Sequence, residues 1–222
     1  MLFRSLLSKL KVKNTIFSPL ITDELFFKPQ TLIDETFKDK LVIFHPASHI
    51  WHVKGNDRLI KGFATFVKSN PNSILLAVDW GKDSNRSKEL IKSLGIEKNI
   101  KFLSLLSAKD LLYYYSISDI VVDQFVTDGI GAIGMETLFC GKPLVTKCGK
   151  HAYDGLYSES IPLLDATTAE QIDDALEYLK NKDSRDEIGR NAKAWAEKFL
   201  SPNAITSNFI KIYESIFRSL SN

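Results

Sequence analysis

The pattern that most constrains this chain is a regular alternation of short apolar segments with helical patterns from residue 41 onward. The apolar segments are residues 41–44, 73–78, 100–103, 120–122, 143–146 and 161–164; the helical patterns are residues 57–69, 84–94, 107–115, 131–139, 168–180, 184–200 and 203–219. Near-continuous apolar segments are typical of strands buried on both faces, and a helix between two strands joins them in parallel. The sequence therefore predicts an α/β fold, a parallel sheet with helices on both faces.

Local signals mark several helix ends within this pattern. Ser107 with Asp110, and Thr168 with Gln171, have the spacing of capping boxes. In such a box, the side chains at the first and fourth positions bind each other's backbone N–H groups. Gly95 follows a helical pattern directly, as glycine commonly does at a helix C-terminus.

Length and composition exclude several classes of protein. At roughly 100–200 residues per domain, 222 residues suffice for one domain and not for two complete ones. A net charge of +2 gives no broad basic field for nucleic acid, and no apolar run approaches the ~20 residues that span a bilayer. Cys140 and Cys148 form no CxxC pair, so neither a disulfide framework nor a structural zinc module is predicted, and the chain suits a reducing cytosol.

The first residues form a basic segment of a different character. Residues 1–14 carry four basic side chains, no acidic one, and leucines at helical spacing. A targeting peptide or a helix at a membrane surface has this pattern, but a helix packed on its own protein is the favoured interpretation. Residues 15–17 resemble a short strand, and the segment from Pro19 to Pro29 is typical of a linker.

In a parallel sheet, ligands bind at the carboxyl ends of the strands, near the point where the strand order reverses. One loop at such an end begins at Asp128 and enters a helix that contains Glu136. Gly129 and Gly131 let backbone N–H groups approach a ligand, and the following helix N-terminus suits a pyrophosphate. The two carboxylates could each hold a sugar ring through its hydroxyl groups. The alternative is a glycine-rich turn with two solvated carboxylates, and these glycines alone do not decide between the two.

A second loop follows the first strand and ends in Lys54-Gly55, just before a helix. Lys54 would place an ammonium group beside the same phosphate region, or be a surface lysine before a helix. The spacing of His45, His49 and His52 also raises a zinc hypothesis. No acidic residue or cysteine completes that set nearby, so a metal is not expected.

Taken in this order, the motifs resemble the carboxyl-terminal, donor-binding domain of GT-B glycosyltransferases of the retaining class grouped as family 4. The resemblance runs from about Lys13 to Phe217. Its most specific element is a pair of carboxylates eight positions apart followed by Gly-x-Pro, here Asp128-x7-Glu136 and then Gly141-Lys142-Pro143. Further matches are Lys54-Gly55, Val78-Asp79-Trp80-Gly81, Phe102-Leu103 and the Tyr-x3-Asp motif from Tyr115 to Asp119.

The resemblance implies a Rossmann-like fold, the C-terminal half of a GT-B fold, and a role for each matching residue. Lys54 would neutralise the diphosphate, Glu136 would hold the ribose hydroxyls, and Asp128 would hold the hydroxyls of the transferred sugar. The other donor-binding positions implied are Gly129, Ile130, Gly131, Gly55, His49, Gly81, Leu103 and Leu105. The reaction would transfer a sugar from a nucleotide-diphosphate sugar to a glycan or lipid-linked acceptor with retention, without a metal or other cofactor.

The sequence departs from the family pattern at two positions. Asp128 stands where the family usually has glutamate, and it is one methylene shorter. The arginine that usually precedes the Lys-Gly pair is absent, and His49 lies near that position. A histidine supplies less positive charge at neutral pH, so phosphate binding would be weaker or arranged by other groups.

The resemblance also implies a domain division. Asp23-x3-Phe27-Lys-Pro29 is similar to the end of the family's interdomain linker, so residues 1–38 would be the remnant of an acceptor domain and its linker. Residues 39–222 would be the donor domain, and transfer would need an amino-terminal acceptor domain or a partner chain. The chain is expected in the cytoplasm, with peripheral association at the inner face of the membrane left open.

Two other functions stay open. The chain could be a non-catalytic subunit of a split transferase that binds a nucleotide or nucleotide sugar. It could also be an unrelated NAD-binding Rossmann domain, but residues 45–57 lack the GxGxxG motif which that class carries after its first strand.

Overall fold

The computed structural model describes residues 18–30, 32–149, 152–153 and 155–220. The predicted amphipathic helix of residues 1–14 and the strand-like residues 15–17 lie outside the described part of the chain. Residues 18–30 contain a turn at residues 24–26 and neither helix nor strand.

Six parallel strands form one sheet, which confirms the predicted fold class. They are β1 (Leu41–His45), β2 (Ser73–Val78), β3 (Ile100–Leu103), β4 (Ile120–Val122), β5 (Leu144–Thr146) and β6 (Leu164–Asp165), in the order β3-β2-β1-β4-β5-β6. The last strand was predicted too early, at residues 161–164. Pro162 has no N–H group for a strand ladder, and pairing begins only at Leu164.

Helices connect the strands and close the chain. They are α1 (Trp51–Lys54), α2 (Asn56–Ser69), α3 (Ser84–Leu94), α4 (Ala108–Ile117), α5 (Ala132–Phe139), α6 (Ala169–Leu179), α7 (Lys182–Phe199) and α8 (Pro202–Leu220). Two short 3₁₀ turns lie at Glu35–Phe37 and Glu97–Asn99. Seven of these helices follow the sequence pattern closely. The four-residue α1 was not predicted, because one turn is too short to show a hydrophobic period. No helix in the described ranges is long and apolar enough to cross a membrane.

The two predicted capping boxes and the predicted helix end at Gly95 are confirmed, whereas the cap predicted at Asn56 or Asp57 is wrong, because Gly55 precedes that helix without a side-chain cap. Ser107 and Asp110 form a reciprocal capping box at α4, and Thr168 and Gln171 form another at α6. Gly95 ends α3 with a positive φ of 67°, a conformation that glycine adopts without a Cβ penalty.

The sheet separates two hydrophobic clusters, one on each face. In β1, Val42 and Phe44 belong to one cluster and Ile43 to the other. Strand β4 divides in the same way, with Val121 on one face and both Ile120 and Val122 on the other. Successive residues of a strand point to opposite faces of the sheet. Because apolar residues occupy successive positions of these strands, both faces of the sheet are buried in hydrophobic clusters.

The strand order reverses between β1 and β4, and this positions the site. The chain leaves β1 towards β2 on one side and leaves β4 towards β5 on the other. The loops at their carboxyl ends therefore diverge and leave a crevice between them.

Candidate functional site

Lys54 reaches the crevice because α1 is bound to the loop after β4. The N–H of Phe125 donates to the carbonyl of Lys54 at 2.8 Å, and that of Thr127 donates to the carbonyl of Val53 at 3.2 Å. Gly55 follows with a positive φ of 69°, and a Cβ there would lie 3.1 Å from the Cβ of Phe125. Glycine at position 55 thus serves this close approach of two loops.

The Lys54 ammonium group lies in a polar pocket at the end of β4. Its Nζ donates to Asp123 Oδ1 at 3.1 Å and to Gln124 Oε1 at 2.7 Å. The Asp123 side chain is 1% exposed and that of Lys54 is 19% exposed. Burial raises the pKa of Asp123, and the ammonium group opposes that shift. Asp123 Oδ2 has no hydrogen-bond partner among the described residues.

Glu136 lies on α5 and is held by a buried tyrosine. The hydroxyl of Tyr115, whose side chain is fully buried, donates to Glu136 Oε2 at 2.8 Å. Burial raises the pKa of Glu136, the hydrogen bond from Tyr115 opposes that shift, and the nearby charge of Asp123 adds to it. Asp123 therefore acts electrostatically on both predicted ligand-binding side chains, Lys54 and Glu136.

In the glycine loop between β4 and α5, the backbone is open at Gly131, whereas the N–H groups of Gly129 and Ile130 are already paired. A Cβ built on Gly131, at the N-terminus of α5, would meet nothing within 4 Å. The N–H of Ile130 donates to the hydroxyl of Tyr153 at 2.8 Å, and the Ile130 side chain is buried in the core. At Gly129, with a φ of 102°, a Cβ would lie 2.9 Å from the same hydroxyl oxygen.

The predicted sugar-binding carboxylate, Asp128, is bound to the loop that follows β5. Asp128 Oδ1 accepts a hydrogen bond from the N–H of Gly149 at 2.8 Å. The N–H of Gly129 donates to the carbonyl of Lys147 in that same loop at 3.0 Å. The loop after β5 is therefore hydrogen-bonded to the glycine loop along one side.

His49 and Gly81 join the loops after β1 and β2. The His49 side chain is 2% exposed, and its Nδ1 lies 2.8 Å from the hydroxyl oxygen of Ser87. Burial lowers the pKa of His49 to about 4, so at neutral pH it supplies no positive charge for a phosphate. A Cβ on Gly81 would lie 2.6 Å from the backbone N and O of His49. Both residues therefore hold two loops together, and their contact with a donor stays a prediction.

The predicted base-binding residues differ in exposure. Leu103 ends β3 and is buried in the core, and its carbonyl accepts the N–H of Asp79 at 2.7 Å. Leu105 is 71% exposed in the following loop. Of the two, only the side chain of Leu105 is free to contact a ligand without a change in the core.

The three histidines of the zinc hypothesis do not form a cluster of metal ligands. In the described part of the chain, no three histidine, cysteine or carboxylate side chains are placed to hold a metal ion. His45 Nδ1 lies 2.9 Å from the carbonyl oxygen of Val122, and its Nε2 lies 2.8 Å from the Asn56 amide nitrogen. His52 is exposed on α1. The buried rings of His45 and His49 pack edge to face with centroids 5.8 Å apart, but the exposed His52 does not join them in a metal-binding set.

The structure adds four residues that the sequence interpretation did not assign to the site. Tyr115 was named as part of the Tyr-x3-Asp motif, with no role in the site, and Tyr153 was not considered. Asp123 and Gln124 directly follow a buried strand beside the reversal in strand order, which is the position where polar side chains face a crevice. That position was a usable signal for these two, whereas nothing local identifies the tyrosines.

The fold and this crevice define a Rossmann-like α/β protein, and solved structures with the same arrangement are GT-B glycosyltransferases. One is the C-terminal domain of LpcC, a glycosyl transferase group 1 family protein from Francisella tularensis, with a TM-score of 0.67, 19% identity and coverage of 82% of this chain and 99% of that one. The family model described as "Glycosyl transferases group 1" matches residues 27–195, well over half of the sequence. The chain therefore belongs to that family, and the suspected resemblance is confirmed.

Other comparisons agree on fold and family. Anabaena HepE, in complex with UDP and glucose, superposes with a TM-score of 0.70 at 19% identity, over 88% of this chain and 55% of that one. The D-inositol 3-phosphate glycosyltransferase of Corynebacterium aurimucosum is 26% identical over 190 residues, which are 80% of this chain and 44% of the relative. The chain spans less than half the length of each of three curated relatives that it matches, from 27% to 47%.

Proposed function

We propose that this chain supplies the donor-binding half of a retaining glycosyltransferase and binds the diphosphate of a nucleotide sugar in the crevice between β1 and β4. The observation that carries the proposal is the convergence of Lys54, the open N-terminus of α5 at Gly131, and Glu136 at one reversal in strand order. Family membership and the UDP in the complex of HepE support a nucleotide diphosphate as the ligand class.

The chemistry follows from the charges that this crevice offers. As the bond between sugar and diphosphate breaks, negative charge grows on the leaving diphosphate. The Lys54 ammonium group and the unpaired N–H groups at the N-terminus of α5 would stabilise that charge, and preorganised groups of this kind usually make the largest contribution to catalysis. Glu136 would accept hydrogen bonds from the ribose, and Asp128 from the transferred sugar after exchange with Gly149.

We propose that acceptor binding lies outside this chain, which spans less than half the length of the curated relatives compared. We propose that an amino-terminal acceptor domain or a partner chain supplies it and that residues 1–38 connect to that domain. The transferred sugar would pass to a glycan or lipid-linked acceptor. Purified chain alone is then expected to transfer no sugar, and turnover of a nucleotide sugar onto an acceptor by this chain alone would overturn the division of labour.

Calorimetric titration of the chain with UDP, GDP and ADP tests the site. We expect one nucleotide to bind, and Lys54→Ala and Glu136→Ala each to weaken its affinity about tenfold or more, the effect of losing a charged hydrogen bond. Lys182→Ala and Glu187→Ala are matched controls, because both side chains are exposed on α7, away from the crevice. No heat with any nucleotide, or unchanged binding in both crevice variants, would refute the assignment.

A further inference from the structure

Gln124 connects two parts of the crevice that otherwise belong to different segments. Its Oε1 accepts a hydrogen bond from Lys54 Nζ at 2.7 Å, and its Nε2 donates to the carbonyl of Gly129 at 2.9 Å. One amide therefore joins the ammonium group that follows β1 to the glycine loop that follows β4.

The amide can satisfy both partners in only one orientation. Lysine only donates hydrogen bonds and a backbone carbonyl only accepts them, so the Gln124 oxygen must face Lys54 and its nitrogen must face Gly129. A glutamate here would repel the carbonyl, and an apolar side chain would release both groups.

Gln124 has little freedom to move away from these partners. Its side chain is 7% exposed, and its backbone carbonyl accepts from the N–H of Lys147 at 2.7 Å and from the hydroxyl of Thr146 at 3.0 Å. Buried polar groups of this kind are costly to leave unpaired, so the two hydrogen bonds of the Gln124 amide are strongly favoured.

The pocket still leaves Lys54 able to bind an anion. Its ammonium group has three N–H donors, of which Asp123 and Gln124 take one each. Because Asp123 carries the neutralising charge, the contribution of the neutral Gln124 amide is geometric. It sets where the remaining donor lies relative to the open backbone at Gly131.

We propose that Gln124 is a positioning residue of the donor site: its amide fixes the Lys54 ammonium group against the Gly129–Gly131 loop, and affinity for a nucleotide diphosphate depends on that link. The inference rests on the proposed function for its ligand. It adds a residue that acts through two others without touching the diphosphate itself.

The test is a double-mutant cycle on binding by the whole chain. Gln124→Met removes both hydrogen bonds of the side-chain amide while keeping a side chain of similar length. Lys54→Met removes the group through which Gln124 acts. We expect Gln124→Met to weaken binding of the preferred diphosphate about tenfold, since a misplaced charged hydrogen bond loses most of its value. In the Lys54→Met background, the same substitution should change affinity less than about twofold. Binding of the matching nucleoside, which has no phosphate, should not change.

Gln171→Met is the matched control. Gln171 also uses its amide to bind backbone, accepting the N–H groups of Thr167 and Thr168 at 2.8 and 3.2 Å, but at the start of α6. The Gln171→Met substitution should lower the melting temperature without changing the affinity for the diphosphate. If Gln124→Met does not fold, Gln124→Glu keeps the acceptor for Lys54, removes the donor to Gly129, and is also expected to weaken diphosphate binding.

A second measurement needs no nucleotide. Acylation of Lys54 by an N-hydroxysuccinimide ester, followed by mass spectrometry, should be several-fold faster in Gln124→Met than in the native chain, because an ammonium group that loses a buried partner is more accessible. Unchanged acylation, equal diphosphate affinity, or an equal loss in the Lys54→Met background would overturn the inference. If the native chain binds none of the three diphosphates, the proposed function and the affinity part of the inference both fail. The acylation rate then still decides whether Gln124 holds Lys54.

Discussion

Replacing Tyr115 by phenylalanine tests the support of the crevice carboxylate directly. The substitution deletes one hydroxyl group and leaves the ring in place, so the contacts of that ring with Phe27 and Phe44 are retained and no apolar cavity forms. The deleted group donates a 2.8 Å hydrogen bond from a fully buried side chain to Glu136. Hydrogen bonds to charged groups contribute about 1.5–3 kcal/mol, and we expect Tyr115→Phe to lower the free energy of unfolding by that amount at pH 8.

The loss should depend on pH in a defined direction. Burial raises the pKa of Glu136, and the Tyr115 hydroxyl group opposes that shift because it favours the ionised carboxylate. Tyr115→Phe should therefore raise the pKa of Glu136 further. The bond contributes fully where Glu136 is ionised, above its pKa, and its contribution falls as the pH drops through that pKa. The destabilisation should therefore shrink towards the cost of a neutral hydrogen bond, about 0.5–1.5 kcal/mol, at pH 4.

Urea unfolding of the native chain and the variant at pH 8, 6 and 4 measures this difference. Tyr113→Phe is the control, because Tyr113 also donates to a carboxylate, that of Asp34, at 2.7 Å, but on the exposed side of α4. Its effect should be much smaller, as solvent replaces the lost bond. A destabilisation by Tyr115→Phe that does not vary with pH, or one no larger than that of Tyr113→Phe, would refute the reasoning.

Three further predictions concern stability and use the same unfolding measurement. Gly95→Ala should lower the free energy of unfolding by about 1 kcal/mol, because of the positive φ alone. Gly81→Ala should lower it more than twice as much, because its Cβ would also lie 2.6 Å from the backbone of the loop after β1, and equal losses in the two variants would contradict this. Lys54→Met should cost about 3 kcal/mol or more at pH 8, because it leaves the Asp123 carboxylate buried without its cation. That cost should fall as the pH is lowered and Asp123, with its raised pKa, takes up a proton; a larger cost at pH 5 than at pH 8 would contradict the assignment. Burial lowers the pKa of His45 to about 3, below its unfolded value near 6.5, so the unfolded chain binds the extra proton as the pH falls. His45 alone should lower the free energy of unfolding below pH 6.5 by up to about 1.4 kcal/mol per pH unit, and His49, whose pKa is lowered to about 4, adds a loss of the same sign; a flat profile between pH 6.5 and 5 would argue against both shifts.

The elements of the fold could be predicted from sequence because each has a local signal. The strands Ser73–Val78 and Ile100–Leu103 and the helix Ser84–Leu94 agree with the prediction at both ends, since each strand is a largely apolar run and Gly95 marks the end of the helix. The strand predicted at residues 161–164 failed because hydrophobicity alone outweighed Pro162 in that prediction. The helix Trp51–Lys54 was missed because one turn has no measurable period.

The candidate site was predictable only in outline. Lys54 and Gly131 could be selected because an ammonium group and a glycine at a helix N-terminus suit a diphosphate, and Glu136 because a carboxylate there can hold sugar hydroxyl groups. Their partners depend on contacts between distant segments: Tyr115 is 21 residues from Glu136, and Lys54 is 69 residues from Asp123. No local pattern reports which buried hydroxyl group or carboxylate will face a given side chain, so those contacts required the folded chain.

The reversal in strand order also has a consequence for how the molecule assembles. Residues 41–103 contain β1 to β3, and residues 120–165 contain β4 to β6, so the crevice lies on the seam between two consecutive halves of the chain. The seam pairs Ile43 with Ile120, the most non-local ladder of the sheet, whose closure carries the largest loop entropy. A ligand that contacts both Lys54 and Gly131 is bound by the joined halves and by neither half alone. Its binding free energy therefore adds to the stability of this most non-local ladder, so that donor binding would also stabilise the folded topology.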